Sequence, residues 1–235
     1  MSLTVQQLDA QMPDATQLLS DELEMESSQH YAQLALLVSC LEWHWRGRDD
    51  FFIGANLTVY YSRQQLRQRE FQGPDFFLVR DTPRRPRTSW VVWEEDGRYP
   101  DLIIELLSES TARVDRTVKK TLYQDRFRTP EYFWFSPVTL EFDGFQLINR
   151  EYRAIEPNEQ GWCWSHVLGL FLGVGDQALR FYTAESERLP TPEEAAERAR
   201  QEQAMTQQQL EQERQRAQRL AERLRALGID PDAEG

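Results

Sequence analysis

Glu105 sits in the middle of the run PDLIIELLSES, which starts at Pro100. Leu102, Ile103, Ile104, Leu106 and Leu107 make this run apolar on both faces, as expected of a central strand covered on each side. Glu105 must then face the interior. A buried carboxylate is costly unless it is paired, hydrogen-bonded, protonated or bound to a metal. The plain structural reading is a buried Glu–Arg or Glu–Lys pair. A second acid, Asp75, follows Pro74 and opens another apolar run, GPDFFLVRD. If the two strands are neighbours, Asp75 and Glu105 converge. Two carboxylates from adjacent strands are the hard oxygen donors with which a divalent cation is held for phosphodiester chemistry. Asp101 is a poorer partner, because four strand residues separate it from Glu105 by about 13 Å. Its place after Pro100 suits a turn.

An ammonium completes such a site by orienting water and offsetting charge on a phosphate. A strand lysine two residues after Glu105 would share its face, but Leu107 stands there. The only lysines in the chain, Lys119 and Lys120, lie in the following helical segment, and every other basic residue is arginine. Asp115, Lys119 and Tyr123 fall at i, i+4 and i+8, a line down one helix face. The plain reading of Asp115 and Lys119 is an ordinary i,i+4 salt bridge.

These residues need a sheet and at least two helices to position them. SQHYAQLALLVSCLEWHWR repeats apolar residues at three and four (Tyr31, Leu34, Ala35, Val38, Leu41, His44, Trp45), which predicts a helix capped by a serine and ended at Gly47. ANLTVYYS, GPDFFLVRD and PEYFWFSP read as strands. SWVVWEEDGRYPDLIIELLS reads as two strands joined by an Asp-Gly hairpin turn, and the segments from FDGFQLINREYRAI to DQALRFYT as further hairpin strands. ESTARVDRTVKKTLYQDRF has helical spacing. The order of elements predicts an α/β or α+β fold with a sheet core. Four segments follow: a polar arm over 1–26, a folded domain over 27–190, a helix over 191–228 and a tail over 229–235. The third segment lacks aromatic residues, has Thr191 as N-cap and Pro192 at the first helical position, and stops at Gly228. Leu210, Ala217 and Leu224 are seven apart, as are Leu220 and Leu227, while Gln203, Thr206 and Glu213 interrupt the seam. This predicts a weak coiled coil, set against a solvated single helix.

GPDFFLVRD, then PDLIIELLSESTARVDRTVKKTLYQ, then RTPEYFWFSP resemble the Uma family, a bacterial group of restriction-endonuclease-like proteins, widespread in cyanobacteria, in the PD-(D/E)XK nuclease superfamily. That family's pattern runs PD, then PDLxxExLSxST, then D, K and Y four apart, then a short strand. The matched core runs from Gly73 to Pro137, and the likeness extends towards Phe181. The resemblance implies a PD-(D/E)XK mixed sheet flanked by helices, with Mg²⁺ or Mn²⁺ as cofactor. It implies Asp75 and Glu105 as the metal acids and Lys119 as a catalytic lysine moved from strand to helix. Ser108 and Thr111 would shape the strand-to-helix turn, and Tyr123 would be an accessory. Where the family has an ELIDG-like strand, this chain reads SDELEMESSQH. Glu26 and His30 are accessory candidates there, His30 being first a capping or core residue.

The formal charge of −12 repels nucleic acid over the molecule as a whole. DNA would have to meet local basic patches, here Arg84, Arg85, Arg113, Arg116 and Lys120, for which a solvated surface is the equal alternative. Cys40 and Cys163 lack CxxC spacing and read as buried thiols in a reducing cytosol. The first residues lack a signal-peptide pattern, and no window approaches the roughly 18 apolar residues of a membrane span. A cytoplasmic protein without membrane contact is expected, a homodimer or higher homo-oligomer. Two functions compete. One is a Mg²⁺- or Mn²⁺-dependent DNA endonuclease. The other is an inactive nuclease-like scaffold that recruits partners through its C-terminal helix.

Overall fold

The computed structural model describes residues 19–20, 27–61, 72–108 and 110–226. The expected arm over 1–26 (apart from Leu19 and Ser20), the tail over 229–235 and the stop at Gly228 lie outside them. The chain divides into two compact units, Met1–Leu189 and Pro190–Gly235. Together they make a mixed α/β fold followed by a long C-terminal helix.

In the first unit, helix α1 (Ser28–His44) begins at Ser27, whose hydroxyl accepts from the His30 N–H at 3.1 Å. Its buried side is His30, Gln33, Leu34, Leu37, Cys40 and Leu41, whereas Tyr31 is exposed. The helix is therefore turned from the face that apolar spacing predicts. Gln33 explains part of this, because its side-chain amide exchanges two 3.0 Å hydrogen bonds with the backbone of Leu179. A buried polar group that is fully bonded can hold a core position.

Strands β1 (Phe51–Ala55), β3 (Phe76–Arg80), β5 (Leu102–Leu106), β6 (Glu131–Phe135), β7 (Phe142–Ile148) and β8 (Glu151–Ala154) form a six-stranded sheet in the order β1-β3-β5-β6-β7-β8. β5 is antiparallel to β3 and parallel to β6. Short strands β2 (Val59–Tyr60) and β4 (Trp90–Val91) pair in parallel, and β9 (Cys163–Ser165), β10 (Leu170–Gly175) and β11 (Ala178–Tyr182) form a separate antiparallel sheet. Residues 112–127 form helix α2, which contains two π-helical turns, Asp115–Lys119 and Tyr123–Phe127. Such wide turns are rare and gather at functional sites.

Alternation along the strands builds two cores. Leu102, Ile104, Leu106, Phe133 and Phe135 join α1 and the three-stranded sheet on one face. Ile103, Leu107, Tyr132 and Trp134 join Tyr123 and Phe127 of α2 on the other. Leu107 belongs to this second cluster and is 3% exposed. The structure adds a strand over residues 51–55 that the sequence pattern does not mark, and one expected turn fails. The Asp-Gly turn, with Asp96 and Gly97 both at positive φ, does not close a hairpin, because β4 pairs with β2 and β5 with β3. Turn chemistry is local, while the partner of an apolar strand is chosen by the whole sheet. The β7–β8 turn at Asn149 and Arg150 and the β10–β11 turn at Asp176 and Gln177 do close hairpins, with both central residues at positive φ as the tight turn requires.

The second unit contains helix α3 (Pro192–Ala226), preceded by Thr191. Thr191 Oγ1 accepts from the Glu194 N–H at 3.2 Å, and a Glu194 carboxylate oxygen accepts from the Thr191 N–H at 2.9 Å. This is a reciprocal capping box.

Candidate active site

The register of β3 against β5 sets Phe76 opposite Ile104, so Asp75, just before β3, falls opposite Glu105. The Asp75 N–H lies 3.4 Å from Glu105 Oε2, and Asp75 Oδ2 accepts from the Leu106 N–H at 2.7 Å. Both acids stand on the α2 side of the sheet, because strand side chains alternate and Glu105 shares its parity with Ile103 and Leu107. Helix α2 brings the cation. Lys119 Nζ lies 3.0 Å from Glu105 Oε2 and 2.8 Å from Asp115 Oδ1. One turn on, the Tyr123 hydroxyl donates to Glu105 Oε1 at 2.6 Å. Asp75, Glu105, Lys119 and Tyr123 are thus brought together. The structural pairing foreseen for Glu105 is also present, since its partner is the same lysine.

Asp115 makes the expected i,i+4 pair with Lys119, but as part of a buried cluster. It is 1% exposed, and its ammonium partner is the one that touches Glu105. The signal was in the sequence, in the i, i+4, i+8 line. The side of the line that faces the sheet depends on packing. Tyr132 adds a hydroxyl donated to the Asp115 carbonyl at 3.0 Å.

His30 is buried at the start of α1 and also reaches the first acid. Its backbone is capped by Ser27, and its side chain reaches Asp75, with Nε2 2.8 Å from Oδ1. Glu26 lies outside the described residues. Ser108 and Thr111 close the strand-to-helix turn on each other. Their hydroxyls are 3.0 Å apart, and the Thr111 N–H donates to Ser108 Oγ at 3.1 Å. Asp101 stays at the other end of β5, where Oδ2 accepts from the Arg80 N–H at 2.8 Å and so serves the β3–β5 connection.

The basic candidates divide. Arg84 pairs with Glu42 and lies over the Phe51 ring, and Arg85 pairs with Glu95 at 2.8 Å, so both form a strap beside the edge strand β1. Arg116 pairs with Glu141, and Lys120 sits 3.3 Å from the Phe145 ring centroid. Arg113 is exposed.

Three carboxylates around one ammonium fix the electrostatics. Burial drives the Glu105 carboxyl well above the ordinary range. Lys119 opposes that rise, while repulsion from Asp75 and Asp115 adds to it. Burial also raises Asp115. For Asp75 burial acts upwards, but the His30 hydrogen bond and charge outweigh it and leave the carboxyl below its usual value. Burial would lower Lys119, yet Glu105, Asp115 and Asp75 hold it above the usual lysine range. At neutral pH its ammonium is charged and is not a proton acceptor. Burial, followed by the Glu105 charge, keeps the Tyr123 hydroxyl protonated and donating.

Among the described residues, no group of three or more His, Cys, Asp or Glu side chains is arranged to hold a metal ion. Each carboxylate oxygen of Asp75 and Glu105 meets a protein donor: His30, the Leu106 N–H, Tyr123 and Lys119. The donor chemistry nevertheless fits a hard divalent cation. Asp75 and Glu105 would offer it oxygen donors from paired strands, in a cluster with more acid than base. Among the described residues, no helix is long and apolar enough to cross a membrane.

Comparison with known proteins gives three results. The family model "Uma2: Putative restriction endonuclease" matches residues 5–175. A solved structure titled as a putative nuclease belonging to DUF820, from Anabaena variabilis, aligns with a TM-score of 0.46 at 14% identity, covering 62% of this chain and 76% of that one. No curated protein matches the chain.

Proposed function

The chain belongs to the Uma2 family, and on that premise we propose that it is a metal-dependent endonuclease of the PD-(D/E)XK type that hydrolyses phosphodiester bonds in DNA. One observation carries the proposal. Asp75 and Glu105 meet across paired strands with the Lys119 ammonium on Glu105. Asp75 and Glu105 would hold Mg²⁺ or Mn²⁺. When bound, such a cation acidifies a water and offsets charge on phosphate oxygens.

The remaining work falls to the chain. Tyr123 fixes one oxygen of Glu105 and so its rotamer, and His30 does the same for Asp75. Lys119, held cationic by its acidic neighbours, offsets negative charge as it develops on the phosphoryl group and orients water. Arg113, exposed at the start of α2, is the candidate to meet a flanking phosphate.

A second reading, an inactive nuclease-like scaffold, is favoured by the protein donors already on the four carboxylate oxygens. Calorimetric titration of Mn²⁺ into wild type and Glu105→Gln, followed by plasmid nicking with both, separates the two. The nuclease reading expects binding and nicking by wild type and neither by the variant. Absence of Mn²⁺ binding by both proteins supports the scaffold.

A further inference from the structure

From Ala196 to Leu220, helix α3 is exposed at every position of its heptad seam. Ala196, Ala199, Gln203, Thr206, Leu210, Glu213, Ala217 and Leu220 all face solvent, with Leu210 50% and Leu220 52% exposed. All of its 35 residues but Pro192 and Thr206 are strong helix formers, so helicity itself needs no partner, but the apolar stripe of its seam is left in water. We propose that the occupant of this stripe is α3 of a second copy, running antiparallel.

Two features fix the direction. First, the charge is divided along the helix. Residues 192–209 carry four glutamates and two arginines, and residues 210–226 carry five arginines and three glutamates. Antiparallel pairing sets the acidic half of each helix on the basic half of the other, whereas parallel pairing sets like on like. Second, an in-register parallel pair brings Glu213 against its own copy in a core layer, where two carboxylates repel with little water to screen them. In an antiparallel overlay, Leu220 meets Ala196, Ala217 meets Ala199 and Leu210 meets Thr206, so large residues face small ones. Glu213 then meets Gln203, whose amide can donate to it. A buried polar layer of this kind is the usual device for fixing register. The pairing stands or falls independently of the nuclease reading.

Sedimentation equilibrium of the full chain tests the pairing, and spin-label distances test its direction. Wild type is expected to be a dimer at tens of micromolar, and Leu210→Glu/Leu220→Glu a monomer with an unchanged thermal transition of the first unit. A spin label at Glu197→Cys is expected to give an inter-label distance of about 35 Å, from 22 residues of axial offset at 1.5 Å each plus the helix spacing. The native thiols Cys40 and Cys163 are buried and leave the label to the added cysteine. A monomeric wild type, or a dimer that survives the double variant, overturns the pairing. A distance below about 20 Å overturns its direction.

Discussion

Glu105 and Glu131 stand on adjacent parallel strands, and both are at most 1% exposed. Their surroundings differ in kind. Glu131 accepts from the Ser165 hydroxyl and from the backbone N–H groups of His166, at 2.7 Å, and Val167, at 3.3 Å. These donors are neutral and come from one turn, so this carboxylate ties the small sheet to the large one. Glu105 has one ammonium, one phenol and the more distant Asp75 N–H at 3.4 Å, and two further carboxylates act on it through space. Burial is therefore common to an anchor and to a candidate site. The site is distinguished by a surplus of like charge, a cost that fold stability alone gives no reason to keep.

The sharpest way to break this comparison is to neutralise each acid. Glu105→Gln is expected to lower Mn²⁺-dependent nicking by at least about 100-fold, while thermal unfolding stays within about 1 kcal/mol of wild type, because the variant removes charge repulsion together with a salt bridge. A large loss of stability would make Glu105 an anchor like Glu131. Lys119→Met leaves three carboxylates without their cation and should cost about 3 kcal/mol in urea unfolding. A neutral result would mean that Lys119 does not hold the cluster. Glu131→Ala strands three donors and is expected to cost about 2 kcal/mol, with nicking per folded molecule unchanged.

The smallest effect is on pH dependence. Burial raises the Glu131 carboxyl, against the pull of Ser165 and the two N–H groups. A carboxyl with a folded pKa above its unfolded one binds its proton more tightly when folded, so its contribution to stability falls as pH rises from about 4.5 through the raised value. Urea unfolding across pH 4–8 should show a shallower decline in Glu131→Gln than in wild type. An identical slope in the two proteins would remove Glu131 as a source of the pH dependence.

The sequence by itself determined the local matters. Alternation and apolar runs marked β3, β5 and β6. Thr191 and Pro192 marked the start of α3, and the segments from FDGFQLINREYRAI to DQALRFYT marked hairpin strands. Each depends on residues within a few positions of one another, where backbone preference and periodicity act directly. The odd glutamate in an apolar strand and the line of Asp115, Lys119 and Tyr123 were equally legible as chemistry in need of partners.

Only the tertiary structure decided who those partners are. The Asp96–Gly97 turn failed as a hairpin because β3 takes the edge of β5 that β4 would have used. The Asp115–Lys119 pair became part of a buried cluster because α2 presents that face to the sheet. Arg84 and Arg85 lie against glutamates and rings at a sheet edge. The His30 contact with Asp75 joins residues 45 positions apart, which no local pattern encodes. Strand order and helix rotation are set by burying two whole faces of a sheet at once, and the meeting of Asp75, Glu105 and Lys119 is a consequence of that burial.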